Sequence, residues 1–206
     1  MGVDCYGLNP VIKEGSSKPK EPKDFGTLTE KDQKAYLEAE SKYENENRGV
    51  YFRNSWWYWR PMWKFVYLKC NGLVGEKLYK EGMHNSGTVS QKDSIEISKI
   101  LLNLDTINEA RKLEEDYKIE MKPKLKFNEL INKAQWVFFN EIVKPQKYPN
   151  KKNLVPGDLK ELDSNLYETW NVFNDLEYNE CNYPFDVNNL KEFGEFCSLS
   201  GGFTIN

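Results

Sequence analysis

Apolar and polar residues alternate over Gly2-Val3-Asp4-Cys5-Tyr6-Gly7, and Gly7 with Asn9-Pro10 then signals a turn, so the chain opens with a short strand. Residues 13–24 are rich in Lys, Pro, Ser and Gly and read as an exposed loop. Thr27 with Glu30 three residues on is a capping box, which predicts a helix over 28–46. Its apolar positions (Ala35, Tyr36, Leu37, Ala39, Tyr43) are few among many charges, the pattern of a solvated surface helix. Tyr51 and Phe52 are expected to be extended, and Arg60, preceding Pro61, is biased away from helix. Pro61 fits the first turn of a helix that runs through Trp63, Val66, Tyr67 and Cys70 to about Gly72.

A loop punctuated by Gly72, Gly75, Gly82 and Gly87 follows, with His84-Asn85-Ser86 inside it. Ser90 with Asp93 caps the next helix, whose Ile97, Ile100, Leu101 and Leu104 share one face. Thr106 with Glu109 starts another, carrying Ile107, Ala110, Leu113 and Tyr117 until Pro123 ends it. Two amphipathic stretches, 127–143 and 158–177, are helices in this reading, with Pro145 stopping the first and a basic loop at 144–152 between them. Tyr183-Pro184-Phe185 breaks the pattern again. Asp186 caps a last helix holding Val187, Leu190, Phe193 and Cys197, and Gly201-Gly202 ends it before a closing strand, Phe203-Thr204-Ile205. The elements add up to a predominantly helical α+β fold, a single domain over 1–206 whose small sheet pairs the N- and C-terminal strands. Residues 13–47 form a surface insertion of loop plus helix.

The hub of this fold is the stretch from Tyr51 to Trp63, which holds four of the six tryptophans together with Arg53, Arg60 and Pro61. Aromatic groups there point in every direction, so they must be covered from several sides by the chain or by a ligand. Composition narrows the function. The net charge of -3 supplies no global field for a phosphate backbone, which disfavours general nucleic-acid binding. No apolar run reaches the length of a membrane span, no signal-peptide pattern opens the chain, and a cytoplasmic protein is expected. The four cysteines lie far apart with no Cys-x-x-Cys pair, so reduced thiols are expected and neither a metal nor another cofactor is.

Three stretches resemble a family of uncharacterised proteins from bacteriophages and bacterial genomes. Met1-Gly2-Val3-Asp4 with Tyr6-Gly7 and Asn9-Pro10 is similar to its M-G-x-D-x-Y-G-x-x-P opening, and Tyr51-Phe52-Arg53-Asn54 with Trp56-Trp57-Tyr58-Trp59-Arg60-Pro61 to its Y-F-R-N-x-x-W-W-W-R-P hub. Tyr183-Pro184-Phe185 with Val187, Phe193, Phe196 and Gly201-Gly202-Phe203 is similar to its Y-P-F…G-G-F ending. His84-Asn85 resembles its H-x-N-D-G-D-G segment without the acidic residues. The paired Cys-x-x-Cys motifs of many relatives are absent here, and residues 13–47 stand as an insertion. The resemblance implies a phage setting, the cytoplasm of an infected bacterial host, and no particular chemistry.

The candidate binding residues are Arg53, Asn54, Trp57, Trp59, Arg60, His84 and Asn85. A guanidinium beside indole faces can hold a phosphate or carboxylate while the rings stack on a base. Against this, each arginine can equally stack on a tryptophan and pair with a core carboxylate such as Asp4. His84, the single histidine, is the one side chain that titrates near neutrality without a large shift, yet no nucleophile is placed beside it by spacing. Three function classes stay open. The protein binds a small anionic ligand, with a nucleotide and the sequestration of a host immune signal as the specific form. Alternatively it binds and inhibits a host protein, or it is a hydrolase dependent on His84.

Overall fold

The computed structural model describes residues 2–206. The fold is mostly helical, with one small sheet that pairs strands from the two ends of the chain. Strand β1 (Gly2–Gly7) lies antiparallel between β2 (Tyr51–Ser55) and β4 (Phe203–Ile205), and β3 (Thr88–Val89) joins the far edge of β4. The register sets Gly2 opposite Ser55, Asp4 opposite Arg53 and Cys5 opposite both Phe52 and Ile205. The two-residue period thereby sorts the faces. Val3, Cys5, Phe52, Asn54, Val89, Phe203 and Ile205 turn inward, while Asp4, Tyr6, Tyr51 and Arg53 occupy the other face.

The described chain divides into two compact units, residues 2–114 with 183–206, and residues 115–182. The sheet belongs to the first. Its core is built by helices α2 (Trp56–Lys69), α4 (Gln91–Leu101) and α9 (Val187–Leu199). Ser94 on α4 donates to the Cys197 carbonyl at 2.7 Å and lies 3.0 Å from the Ser200 hydroxyl, so this fully buried polar group is satisfied. Helices α4 and α9 start where expected, with Ser90 accepting from the Asp93 amide and Asp186 from the Asn189 amide. Helix α1 (Glu30–Glu46) buries none of its residues, as its charged composition requires.

Several boundaries differ from the sequence expectation. Helix α1 is capped by Thr29, which accepts from the Asp32 amide, because the Thr27 hydroxyl is turned back to the Asp24 carbonyl. Helix α2 starts five residues before Pro61, under the Ser55 cap. Pro61 therefore lies in the helix interior, where its missing N–H costs about 3 kcal/mol. Burial of Trp59, Met62, Trp63, Phe65 and Val66, at about 1.5–3 kcal/mol each, outweighs that penalty. Pro123 does not end a helix either. It sits inside α5 (Leu104–Val137), and the carbonyl it frees belongs to Ile119, a residue on the exposed side.

The second unit holds the later part of α5 and a six-residue π-helix, Phe138–Val143, that no sequence pattern announced. Short α6 (Lys144–Lys147) and α7 (Leu159–Leu162) follow, and then α8 (Ser164–Leu176), capped by Asp163. The stretch expected as one helix over 158–177 is thus interrupted. Phe139, Val143, Leu154 and Leu159 form a small core of their own, with Trp170 edge-on to Phe139 at 5.6 Å. In this unit Asn128 clamps the backbone of Tyr178, accepting from its amide and donating to its carbonyl.

Candidate ligand-binding site

Five of the candidate residues sit on β2 and α2, and the structure gives them different environments. Asn54 is buried and donates to the Asn189 amide oxygen at 3.0 Å, a bond that joins β2 to α9. Trp59 is 1% exposed, stacked on Trp63 at 5.1 Å, with its indole N–H on the Gly82 carbonyl at 2.8 Å. Neither side chain keeps a face for a ligand. Arg53 is exposed on the outer face of the sheet, where Nε lies 3.7 Å from an Asp4 carboxylate oxygen that also accepts from the Tyr51 hydroxyl. Burial and that Asp4 bond push the Tyr51 phenol pKa well above its usual value. A concavity of about 350 Å³ opens beside Arg53, but Glu44, Glu192 and Glu195 line it and its other arginine, Arg48, is paired with Glu195. Three carboxylates against two arginines repel an anion.

Arg60 stands apart from this. Residues 56 and 60 share one face of α2, and the Arg60 guanidinium carbon lies 4.3 Å from the centre of the Trp56 ring. Its Nη1 donates to the Tyr183 hydroxyl at 3.1 Å, and Tyr183 meets the half-exposed Trp57 edge-on at 5.1 Å. Among the described residues no carboxylate pairs with Arg60. Tyr183 and Trp56 were absent from the sequence-derived set. The four-residue spacing of Trp56 and Arg60 was a readable signal once a helix covered both, whereas the approach of Tyr183 from residues far along the chain was not.

The glycine-punctuated segment, expected as a loop, contains a helix. Helix α3 (Glu76–Gly82) runs antiparallel to α2, since Trp63 donates to Tyr79 and Trp59, one turn earlier, to Gly82. Asn85 takes a left-handed backbone conformation, φ 55°, and donates its side-chain amide to the Gly2 carbonyl at 3.0 Å. Gly2 is in register with Ser55, the cap of α2. His84 is exposed next to it, and the neighbouring Ser86 hydroxyl is turned to the Glu81 carbonyl rather than to the histidine.

Among the described residues, three buried side-chain nitrogen or oxygen atoms have no hydrogen-bond partner: Trp56 Nε1, Arg60 Nε and Asn85 Oδ1. Each such group costs about 1–3 kcal/mol if left unpaired. Two belong to the first turns of α2 and the third to the turn after α3 that reaches Gly2, all within the first unit. Two are donors and one is an acceptor.

Other features offer less. Burial raises the thiol pKa values of Cys5, Cys70 and Cys197, Cys70 to about 12, which keeps them protonated and poor metal ligands. No cluster of three metal-ligating side chains occurs among the described residues. None of the described helices is long and apolar enough to cross a membrane. A second concavity, about 480 Å³ beside Trp136 and Trp170 in the other unit, has no ionisable lining residue to hold an anion. Comparison of the chain with protein-family models, curated proteins and solved structures finds no match.

Proposed function

We propose that this protein binds a small anionic ligand at the start of α2. Trp56 Nε1 and Arg60 Nε donate to the anion, and Trp57 and Tyr183 form an aromatic flank. The observation that carries this reading is the pair of buried donors without acceptors beside an arginine that no carboxylate neutralises. An anionic oxygen satisfies both donors at once and meets the guanidinium where water is largely excluded, which strengthens the bond. Arg53 and His84 are not required. In the phage setting that the sequence resemblance implies, the proposed role is sequestration of a host signal molecule inside the infected cell. Such a role needs tight binding and no turnover.

Two measurements test this. Mass spectrometry of the denatured protein should release a stoichiometric small anion. Titration calorimetry of that ligand against Arg60→Ala should show a loss of affinity of roughly tenfold to a hundredfold, the worth of a charge-assisted bond. Truncation also removes the contact with Trp56 and the bond to the Tyr183 hydroxyl, about 1–3 kcal/mol together, so the variant stays folded with a lower melting temperature. Equal affinity in the wild type and Arg60→Ala would overturn the proposal.

A further inference from the structure

The third unpartnered atom says more about the ligand than the two donors do. Asn85 could in principle be turned either way, since amide oxygen and nitrogen look alike in shape. Its partner settles the orientation. The Gly2 carbonyl can only accept, so the NH2 group must face it, and Oδ1 must point the other way. That Oδ1 is buried with nothing donating to it. The backbone is held as firmly as the side chain, because Asn85 is the one non-glycine residue with positive φ among those described. The preceding turn is closed by the His84 amide on Glu81 and by the Ser86 amide on the same carbonyl. An acceptor is therefore presented in a fixed direction, on the turn that reaches Gly2 opposite Ser55, the cap of the helix carrying the two donors.

An inorganic phosphate or pyrophosphate satisfies Trp56 and Arg60 through its oxygens and keeps at neutral pH at most a P–OH proton for Asn85, with no planar face for Trp57. A nucleotide has both, an anionic group and ring or exocyclic N–H groups on a planar base. It also has a π-face that suits the half-exposed Trp57 beside Tyr183. Resting on the anion site proposed above, we infer that Asn85 reads an N–H donor of the ligand and that the ligand is a nucleotide. Asn85 is then a specificity residue, separate from the groups that hold the anion.

The test uses guanosine and uridine monophosphate, ribose 5-phosphate and inorganic pyrophosphate, titrated into the full chain and into Asn85→Gly. Glycine adopts positive φ without strain, so this variant keeps the turn. The wild type should bind at least one of the two nucleotides more tightly than ribose 5-phosphate or pyrophosphate. Asn85→Gly should weaken that nucleotide roughly two- to tenfold, the range for one neutral hydrogen bond, and leave pyrophosphate unchanged. The unchanged pyrophosphate affinity also shows that the variant is folded. Pyrophosphate or ribose 5-phosphate binding as tightly as both nucleotides would overturn the inference and leave the anion site standing. Asn85→Gly with undiminished preference for the nucleotide would overturn the role of Asn85. No binding of any of the four would overturn the inference together with the anion site beneath it.

Discussion

Adding a single methyl group at Gly82 tests the packing that brings α3 to α2. An ideal Cβ at this position falls 2.4 Å from Trp63 Nε1 and 2.7 Å from its Cε2, both rigid ring atoms. The Trp63 indole has nowhere to go. It is fully buried, stacked on Trp59, edge-on to Phe193 at 6.3 Å, and bonded through Nε1 to the Tyr79 carbonyl. Gly82→Ala therefore overpacks the core, at about 1–3 kcal/mol, and disturbs a hydrogen bond worth about 1 kcal/mol. Better helix propensity of alanine returns about 0.5–1 kcal/mol. The net loss of about 1–3 kcal/mol corresponds to a melting temperature lower by roughly 2–12 °C for a chain of this size. Gly26 is the control, because nothing lies within 4 Å of a Cβ built there. Gly26→Ala should melt at or slightly above the wild type, since alanine restricts the unfolded chain. Thermal denaturation followed by circular dichroism reads both. A Gly82→Ala variant as stable as the wild type would mean that the return of α3 onto Trp59 and Trp63 is wrong.

Alkaline stability should depend on Tyr51. Burial and the bond to Asp4 raise its folded pKa above the unfolded value near 10, so its contribution is complete below about pH 10 and is lost as pH rises through the folded pKa. Melting temperatures of Tyr51→Phe and wild type between pH 8 and 11 should therefore show the steeper decline above pH 10 in the wild type, and parallel curves would contradict this. Pro123→Ala, which restores a helical N–H inside α5, should raise the melting temperature of the unit that contains it, since proline in a helix interior costs about 3 kcal/mol. No change would indicate that the helix already breaks there.

The sequence made the pairing of β1 with β4 legible, because both ends of the chain carry a two-residue period beside turn signals, whereas the place of β2 beside β1 and the two-residue β3 were not. The Ser90 and Asp186 caps were equally readable, each bonding the backbone amide three residues on. Proline was the misleading signal. Local grounds make Pro61, Pro123 and Pro145 helix boundaries, yet tertiary burial of the α2 aromatic face overrides the penalty at Pro61, an exposed neighbour tolerates it at Pro123, and Pro145 lies inside α6 in a run that continues to Lys147. The interruption at Asp163 and the π-helix at Phe138–Val143 depend on packing in the second unit rather than on local propensity. Within the site, Arg60 and Asn85 were identifiable as a cation and a loop amide near the aromatic hub. Separating Arg60 from Arg53 was not possible without the register that sets Arg53 opposite Asp4. Trp56 and Trp59 look alike in sequence. One indole N–H ends on a backbone carbonyl and the other on nothing, a difference set by where Gly82 lies.

That difference gives the most direct measurement of the central claim, that Trp56 and Arg60 hold an anion. Each of the six tryptophans contributes one indole N–H signal to a proton–nitrogen correlation spectrum. The Trp59 and Trp63 N–H groups are already bonded to Gly82 and Tyr79, whereas that of Trp56 is free. On titration with the anionic ligand, the Trp56 signal, assigned by its disappearance in Trp56→Phe, should move saturably toward the position of a strongly bonded N–H. The Trp59 and Trp63 signals should stay in place. A ligand that binds while the Trp56 signal remains still would contradict the account.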